Sequence, residues 1–146
     1  SPLPSDQLVT IPASLVLTIA ELVRPGQILF EQTGAVHAAA AFDISGNVLV
    51  VREDVGRHNA VDKIAGWIYS NNESGKDKAL YTTGRLTSEM VIKCALMGIP
   101  VLVSRSGFTA WGVEIANQVG LTLIGRLRGK RFMCLAGEDR LIYDFE

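Results

Sequence analysis

The stretch "NVLVVREDVGRHNAVDKIAGWIY", from Asn47 to Tyr69, decides the fold class. Val48, Leu49, Val50 and Val51 make a short apolar run rich in β-branched residues, the composition of a strand packed into a sheet. From about Arg57 the period changes, and Val61, Ile64, Ala65 and Ile68 fall on one face of a helix running to Tyr69. The link supplies the turn, with Asp54 able to cap the helix and Gly56 free to take a positive φ. Arg52, Arg57, His58 and several acids crowd this turn, more charge than a cap and a glycine require.

The alternation extends both ways. Upstream, "AVHAAAAFD" and "NVLVVRE" flank "ISG" and read as a strand hairpin. Earlier still, Leu15, Ile19, Leu22 and Val23 recur at helical spacing, and Pro25-Gly26 stops that helix. Downstream, "NNESGKDK" reads as a solvated loop, "ALYTTG" as a buried strand and Glu89 to Met97 as a helix. "PVLVS" is a strand, Ala110 to Val119 a helix and "LTLIG" a strand, and "RFMCLAG" and "RLIYDF" read as a closing pair. Repeated strand–helix–strand units imply an α/β protein, a mixed and mainly parallel sheet flanked by helices, with antiparallel strands at its ends. Residues 1–27 read as a loosely attached N-terminal helical arm and 28–146 as the α/β domain.

Composition limits what such a domain does. With 146 residues, 48% hydrophobic and 20% charged, the chain can bury a core. A formal net charge of −1 gives no global attraction to nucleic acid, so any anion site must be local. No apolar stretch is long enough to span a bilayer, and "SPLPSDQ" lacks the features of a signal peptide. Cys94 and Cys134 have neither metal-type nor redox-type spacing, which suits a reducing cytoplasm.

Ligands of open α/β sheets bind beyond the carboxyl ends of the parallel strands. Two loops leave such ends, "TTGRLTSE" with Arg85 and "SRSGFT" with Ser104 and Arg105. Each carries hydroxyls, an arginine and a glycine, and each leads into a helix start, where backbone N–H groups and the dipole favour an anion. Ordinary capping by Thr87 or Ser88 and by Thr109 explains the same residues. A third stretch, "RLRGKR" (Arg126, Leu127, Arg128, Gly129, Lys130, Arg131), reads either as a solvated turn or as further cations for one pocket. His58 lies one helical turn before Asp62; a His–Asp pair there would orient the imidazole, or would be a simple helix-start contact. His37 sits among alanines, which leave either a cleft or a close backbone approach.

"TGAVHAAAAF", "EDVGRHNAVDK", "SEMVIKCALMGIPVLVS" and "LTLIGRLRGKR" together resemble, in order and spacing, the formate dehydrogenase accessory sulfurtransferase family. The resemblance covers the chain from about residue 28 onward, and "EDVGRHNAVDK" is its most specific segment. It implies a cytidine deaminase-like three-layer fold, a dimer, and a cytoplasmic role in formate dehydrogenase maturation. Persulfide sulfur from a cysteine desulfurase would pass to the molybdenum cofactor, bis(molybdopterin guanine dinucleotide), before insertion into formate dehydrogenase. It also implies cofactor contacts at Arg126, Leu127, Arg128, Gly129, Lys130 and Arg131, and Arg57, His58, Arg85, Ser104 and Arg105 join them as candidates.

The family's sulfur-carrying Cys-x-x-Cys loop would lie upstream of Ser1, making this chain a C-terminal portion that holds the cofactor without the nucleophile. Two other readings stand. A guanine-nucleotide-binding scaffold without chemistry fits the same loops. A zinc-dependent deaminase shares the implied fold but needs a Glu two residues after its ligand His, where Ala39 stands, and a later Cys-x-x-Cys. Neither zinc nor another metal is therefore expected.

Overall fold

The computed structural model describes residues 9–145. A six-stranded sheet runs in the order β3-β2-β4-β5-β6-β7. Its strands are β2 (His37–Asp43), β3 (Val48–Asp54), β4 (Lys78–Thr82), β5 (Val101–Ser104), β6 (Thr122–Arg128) and β7 (Arg131–Ala136). β4, β5 and β6 are parallel, while β2 is antiparallel to both its neighbours and β7 is antiparallel to β6. The sheet is therefore mixed, with three antiparallel and two parallel ladders. The departure from a mainly parallel sheet arises where β2 inserts between β3 and β4. β3 still points the same way as β4, so four strand ends, β3 to β6, open on one edge.

The alanines of β2 explain the insertion. Ala38, Ala39, Ala40 and Ala41 are all fully buried, for both faces of this interior strand are covered. Small side chains let the layers close on it, which outweighs alanine's weak strand propensity. One face packs against α3 (Arg57–Ser70), α4 (Ser88–Leu96) and α5 (Ala110–Val119) through a core that includes Ile64, Met90, Leu102 and Ala116.

The opposite face is covered by α1 (Ala13–Val23). Val16, Ile19 and Val23 lie in a second core with Phe42, Tyr81 and Leu127. The expected loose arm is thus corrected over its described part: α1 is a packed layer, and residues 1–8 lie outside the described residues.

Further expectations are corrected. "RFMCLAG" pairs with β6, and from "RLIYDF" only β8 (Leu141–Ile142) is a strand, parallel to β1 (Ile11–Pro12). Asp144 of the following tail accepts from the backbone N–H and the hydroxyl of Ser14, capping α1 from afar. A short helix, α2 (Ile28–Thr33), carries no sequence signal; the carboxylate of Glu53 receives Leu29 N–H and Phe30 N–H at 2.9 and 2.8 Å and fixes its start. Lys78, expected in a solvated loop, is buried at the start of β4 and bonds to Ser74, Asp77 and Glu73. Gly56 has φ −99°, an ordinary extended value, and it rather than Asp54 is the N-cap of α3. Asp54 Oδ1 instead accepts from Gly56 N–H at 3.0 Å. No helix among the described residues is long and apolar enough to cross a membrane.

Candidate anion-binding site

The edge where β3 to β6 end carries the loops singled out in the sequence. The capping expected of them is present: Thr87 accepts from Met90 N–H at 3.4 Å and Thr109 from Gly112 N–H at 3.0 Å. Other hydroxyls brace the loops and tie them together. Thr82 Oγ1 accepts from Gly84 N–H, Ser104 Oγ donates to Gly84 O at 2.6 Å and accepts from Ser106 N–H, and Ser106 Oγ donates to Thr83 O. Leu86 N–H reaches Gly107 O, Thr109 N–H reaches Leu86 O and Arg126 N–H reaches Ser106 O, so the loops after β4 and β5 and the C-terminal part of β6 form one hydrogen-bonded body. Ser104 is fully buried and satisfied, so it is framework and not a contact for a ligand.

On this framework sit the arginines. The stem of Arg57 lies on Gly84 so closely that a Cβ there would stand 2.6 Å from both Cβ and Cδ of Arg57. Arg57 Nε is buried with no hydrogen-bond partner among the described residues, an orphaned donor where polar groups are normally satisfied. Arg105 is exposed and stacks over Phe30 at 5.5 Å from the ring centroid, a contact that needs α2 and so was invisible in the sequence. Arg126 stacks over Phe108 at 5.4 Å, with its guanidinium over Gly107.

Arg126 also has φ +52°, left-handed for a non-glycine residue, at the irregularity where β6 leaves its register with β7. Such a backbone costs on the order of 1–3 kcal/mol and persists only where surrounding contacts impose it. Arg128 and Arg105 line one cavity of about 390 Å³ with Ala20, Leu127 and Gly129. Lys130 and Arg131 line the neighbouring 520 Å³ cavity with Phe132, Tyr143 and Phe145. Arg85 is exposed at its loop tip, whereas the Leu127 side chain is 3% exposed and belongs chiefly to the second core.

Charge is partitioned sharply. All four ion pairs among the described residues are made by lysines: Lys63 with Asp54, Lys78 with Glu73 and Asp77, and Lys93 with Asp62. None of Arg57, Arg85, Arg105, Arg126, Arg128 and Arg131 pairs with a described carboxylate. The edge therefore carries guanidinium groups with no carboxylate partner among the described residues.

The histidines divide. His37 Nδ1 stands 3.0 Å from Thr83 Oγ1, and burial first, then Arg57 and Arg105, hold its imidazole below the ordinary value. His58 turns elsewhere. The pair with Asp62 does not form, because Asp62 bonds to Lys93 Nζ at 2.9 Å. His58 Nδ1 is buried with no hydrogen-bond partner among the described residues, and burial first, then Lys93 and Arg57, lower its pKa. It thus lies toward α4, where Glu89 and Lys93 also act on it. The His37–Thr83 pair escaped sequence reading because it joins residues 46 apart.

Neither cysteine is poised for nucleophilic chemistry. Cys94 is fully buried, and burial pushes its thiol far above the ordinary range. Cys134 is half-buried, and burial first, then Glu138, raises its thiol too. Among the described residues no group of three His, Cys, Asp or Glu side chains is placed to hold a metal ion. Ala39, in the position a deaminase gives to Glu, is buried in the core.

Comparison with known proteins bears on these features. The FdhD/NarQ family profile matches residues 1–142. The sulfur carrier protein FdhD of Nocardia farcinica is 40% identical over 141 residues, covering 96% of this chain and 50% of that protein. That of Thermoplasma acidophilum is 37% identical over 132 residues, covering 90% of this chain and 47% of the other. The chain spans about half the length of these curated relatives. A crystal structure described as a formate dehydrogenase accessory protein from Desulfotalea psychrophila superposes with a TM-score of 0.84 at 35% identity, over 95% of this chain and 63% of that one.

Proposed function

Because this chain belongs to the FdhD/NarQ family, we propose that it forms the cofactor-holding part of a sulfur carrier protein that serves formate dehydrogenase. In this reading the client is bis(molybdopterin guanine dinucleotide). A cysteine desulfurase supplies persulfide sulfur, formate dehydrogenase receives the sulfurated cofactor, and two chains act as a dimer in the cytoplasm. The observation that carries the reading is the set of arginines without described carboxylate partners, gathered by one hydrogen-bonded body of loops at one sheet edge.

The chemistry fits the client. Guanidinium groups grip phosphate oxygens through paired N–H donors, which a lysine point charge does not reproduce. Arg105 and Arg128 line one cavity, while Lys130, Arg131, Phe132 and Tyr143 line the next, so cations for a pyrophosphate adjoin aromatic rings suited to a purine. The buried Cys94 thiol and the half-buried Cys134 thiol, both raised in pKa, support a reading in which another cysteine carries the sulfur and this chain binds and orients the client. A scaffold that binds guanine nucleotide without any sulfur chemistry draws on the same unreactive thiols.

The test is calorimetric titration of the 146-residue chain with guanosine diphosphate. Arg128→Ala and Arg85→Ala should each weaken binding roughly ten- to a hundredfold, the size of one charged hydrogen bond at about 1.5–3 kcal/mol. Both should also flatten its salt dependence. Unchanged affinity in both variants would return these loops to capping alone.

A further inference from the structure

His37 occupies a place at this edge that neither capping nor packing explains. It opens β2, opposite Asp54 across the ladder, and lies among fully buried alanines, yet its ring remains partly exposed. One side of the ring is fixed by Thr83. Thr83 Oγ1 accepts from Ala38 N–H at 2.9 Å and has one proton to give, either to His37 Nδ1 at 3.0 Å or to Ala38 O at 3.4 Å. Ala38 O already receives Thr83 N–H at 3.0 Å. The shorter contact and the free acceptor both favour a hydroxyl donating to Nδ1 of a neutral ring. The proton of the neutral imidazole then sits on Nε2, which has no protein partner among the described residues.

The charges around the ring come from three elements. Arg57 belongs to the first turn of α3, and its Nε is an orphaned donor. Arg105 belongs to the loop after β5. Asp54, on β3, is occupied by Lys63 at 3.0 Å, Gly56 N–H and Asn59. Glu53, the next carboxylate along that strand, is occupied by the amides of α2. Two cations therefore act on the imidazole, while Asp54 and Glu53 are committed elsewhere.

Resting on the anion-site reading above, we propose that His37 is a ligand-contacting residue of this site: it donates Nε2–H to an oxyanion held by Arg57 and Arg105, and takes up a proton as that anion binds. In the free protein burial and then the two arginines lower the ring's pKa and favour its neutral form. A bound dianion cancels their field, the ring gains a proton at Nδ1, and the Thr83 hydroxyl turns to Ala38 O. The sign follows from linkage. The imidazole titrates higher in the bound state, so affinity is greatest at low pH. It falls as pH rises through the bound-state value and is level above it. A rise of about one unit on binding makes the total change about tenfold.

Sulfate is the probe that isolates the protein, since it keeps its double charge across this range. The chain holds only two histidines, so heteronuclear NMR resolves both rings, and His58→Gln assigns them. Saturating sulfate should raise the His37 pKa by about one unit, and the neutral ring should show the Nε2–H tautomer. His37→Gln should abolish the roughly tenfold pH dependence of sulfate affinity. Thr83→Val should shift the tautomer balance while the chain stays folded. A His37 pKa unmoved by sulfate, or a pH dependence that survives His37→Gln, overturns the proposal. If sulfate raises the pKa but guanosine diphosphate does not bind, the oxyanion site stands and the nucleotide reading fails.

Discussion

Gly84→Ala tests the link between the loop framework and the arginine cluster. A methyl group at Gly84 would lie 2.6 Å from Arg57 Cβ, 2.6 Å from Cδ and 3.1 Å from Cγ. Carbon atoms rest at about 3.5–4.0 Å, so the deficit is about 1 Å. Rotating the Arg57 side chain removes the clash with Cδ but not the one with Cβ, which is fixed to the first residue of α3. The helix start or the turn must move. The turn is held by Thr82 on Gly84 N–H at 3.1 Å and by Ser104 on Gly84 O at 2.6 Å, so moving it strains both bonds. Overpacking of this kind costs about 1–3 kcal/mol of stability. Swinging the guanidinium off the site removes a charged contact of about 1.5–3 kcal/mol, roughly ten- to a hundredfold in anion affinity. Guanidinium chloride unfolding and calorimetry with guanosine diphosphate measure the two losses. In an Arg57→Gly background the space is empty, so Gly84→Ala should cost less than about 0.5 kcal/mol there, a coupling that separates this clash from a general loop defect. Wild-type midpoint and affinity in Gly84→Ala, or equal cost in both backgrounds, would refute the reasoning.

Ile64→Ala, at a fully buried position in the helix-covered core, should lower unfolding stability by about 2–5 kcal/mol in denaturant titration without altering anion affinity in the folded protein. Arg140→Ala removes the buried donor that reaches Gly120 O at 2.6 Å beyond the end of α5, and chemical unfolding should register a loss of about 1.5–3 kcal/mol. Gly56 N–H first and Lys63 next hold the Asp54 carboxyl below its ordinary range. Its contribution is therefore present above that range and lost as pH falls through the lowered folded value, and Asp54→Asn should flatten this acid limb of the stability profile. Cys94 should resist alkylation in the native protein at neutral pH and react once unfolded, and a labelled persulfide recovered on Cys94 after incubation with a desulfurase would contradict the structural role given to it here.

The elements were legible where periodicity is local. Ala110 to Val119 is a helix at the bounds its spacing implies, and the hairpin around "ISG" and the helix after Arg57 follow from the same signals. Strand order was not legible, because nothing local to "HAAAAFD" records that it pairs with both β3 and β4. Nor was the tail: β8 pairs with β1 across 130 positions, and Asp144 caps a helix whose own N-cap, Pro12, offers no side-chain acceptor. At the site, the sequence located the loops but could not say which of their polar groups are spent. Ser104 reads like a ligand contact and is a tie between loops, while His37, read as facing either a cleft or a close backbone approach, bonds to Thr83 with Arg57 and Arg105 acting on its imidazole.

The electrostatics of the edge depend on how the acids are used. The chain has 15 acidic and 14 basic residues, so no net charge draws an anion toward it. Near the edge, Glu53 caps α2, Asp54 binds Lys63 and Asp62 binds Lys93. These three carboxylates are engaged before they can neutralise a guanidinium. With a screening length of about 8 Å at physiological ionic strength, the resulting field acts at contact and does little to steer a distant partner. Several arginines from different loops, held by one backbone network, match a compact ligand with clustered charges better than a long uniform polyanion. A pyrophosphate has that shape. Binding should therefore depend on keeping the loops in register, so a substitution that loosens the hydroxyl ties, such as Ser104→Ala, should weaken a diphosphate more than a monophosphate even though Ser104 touches neither.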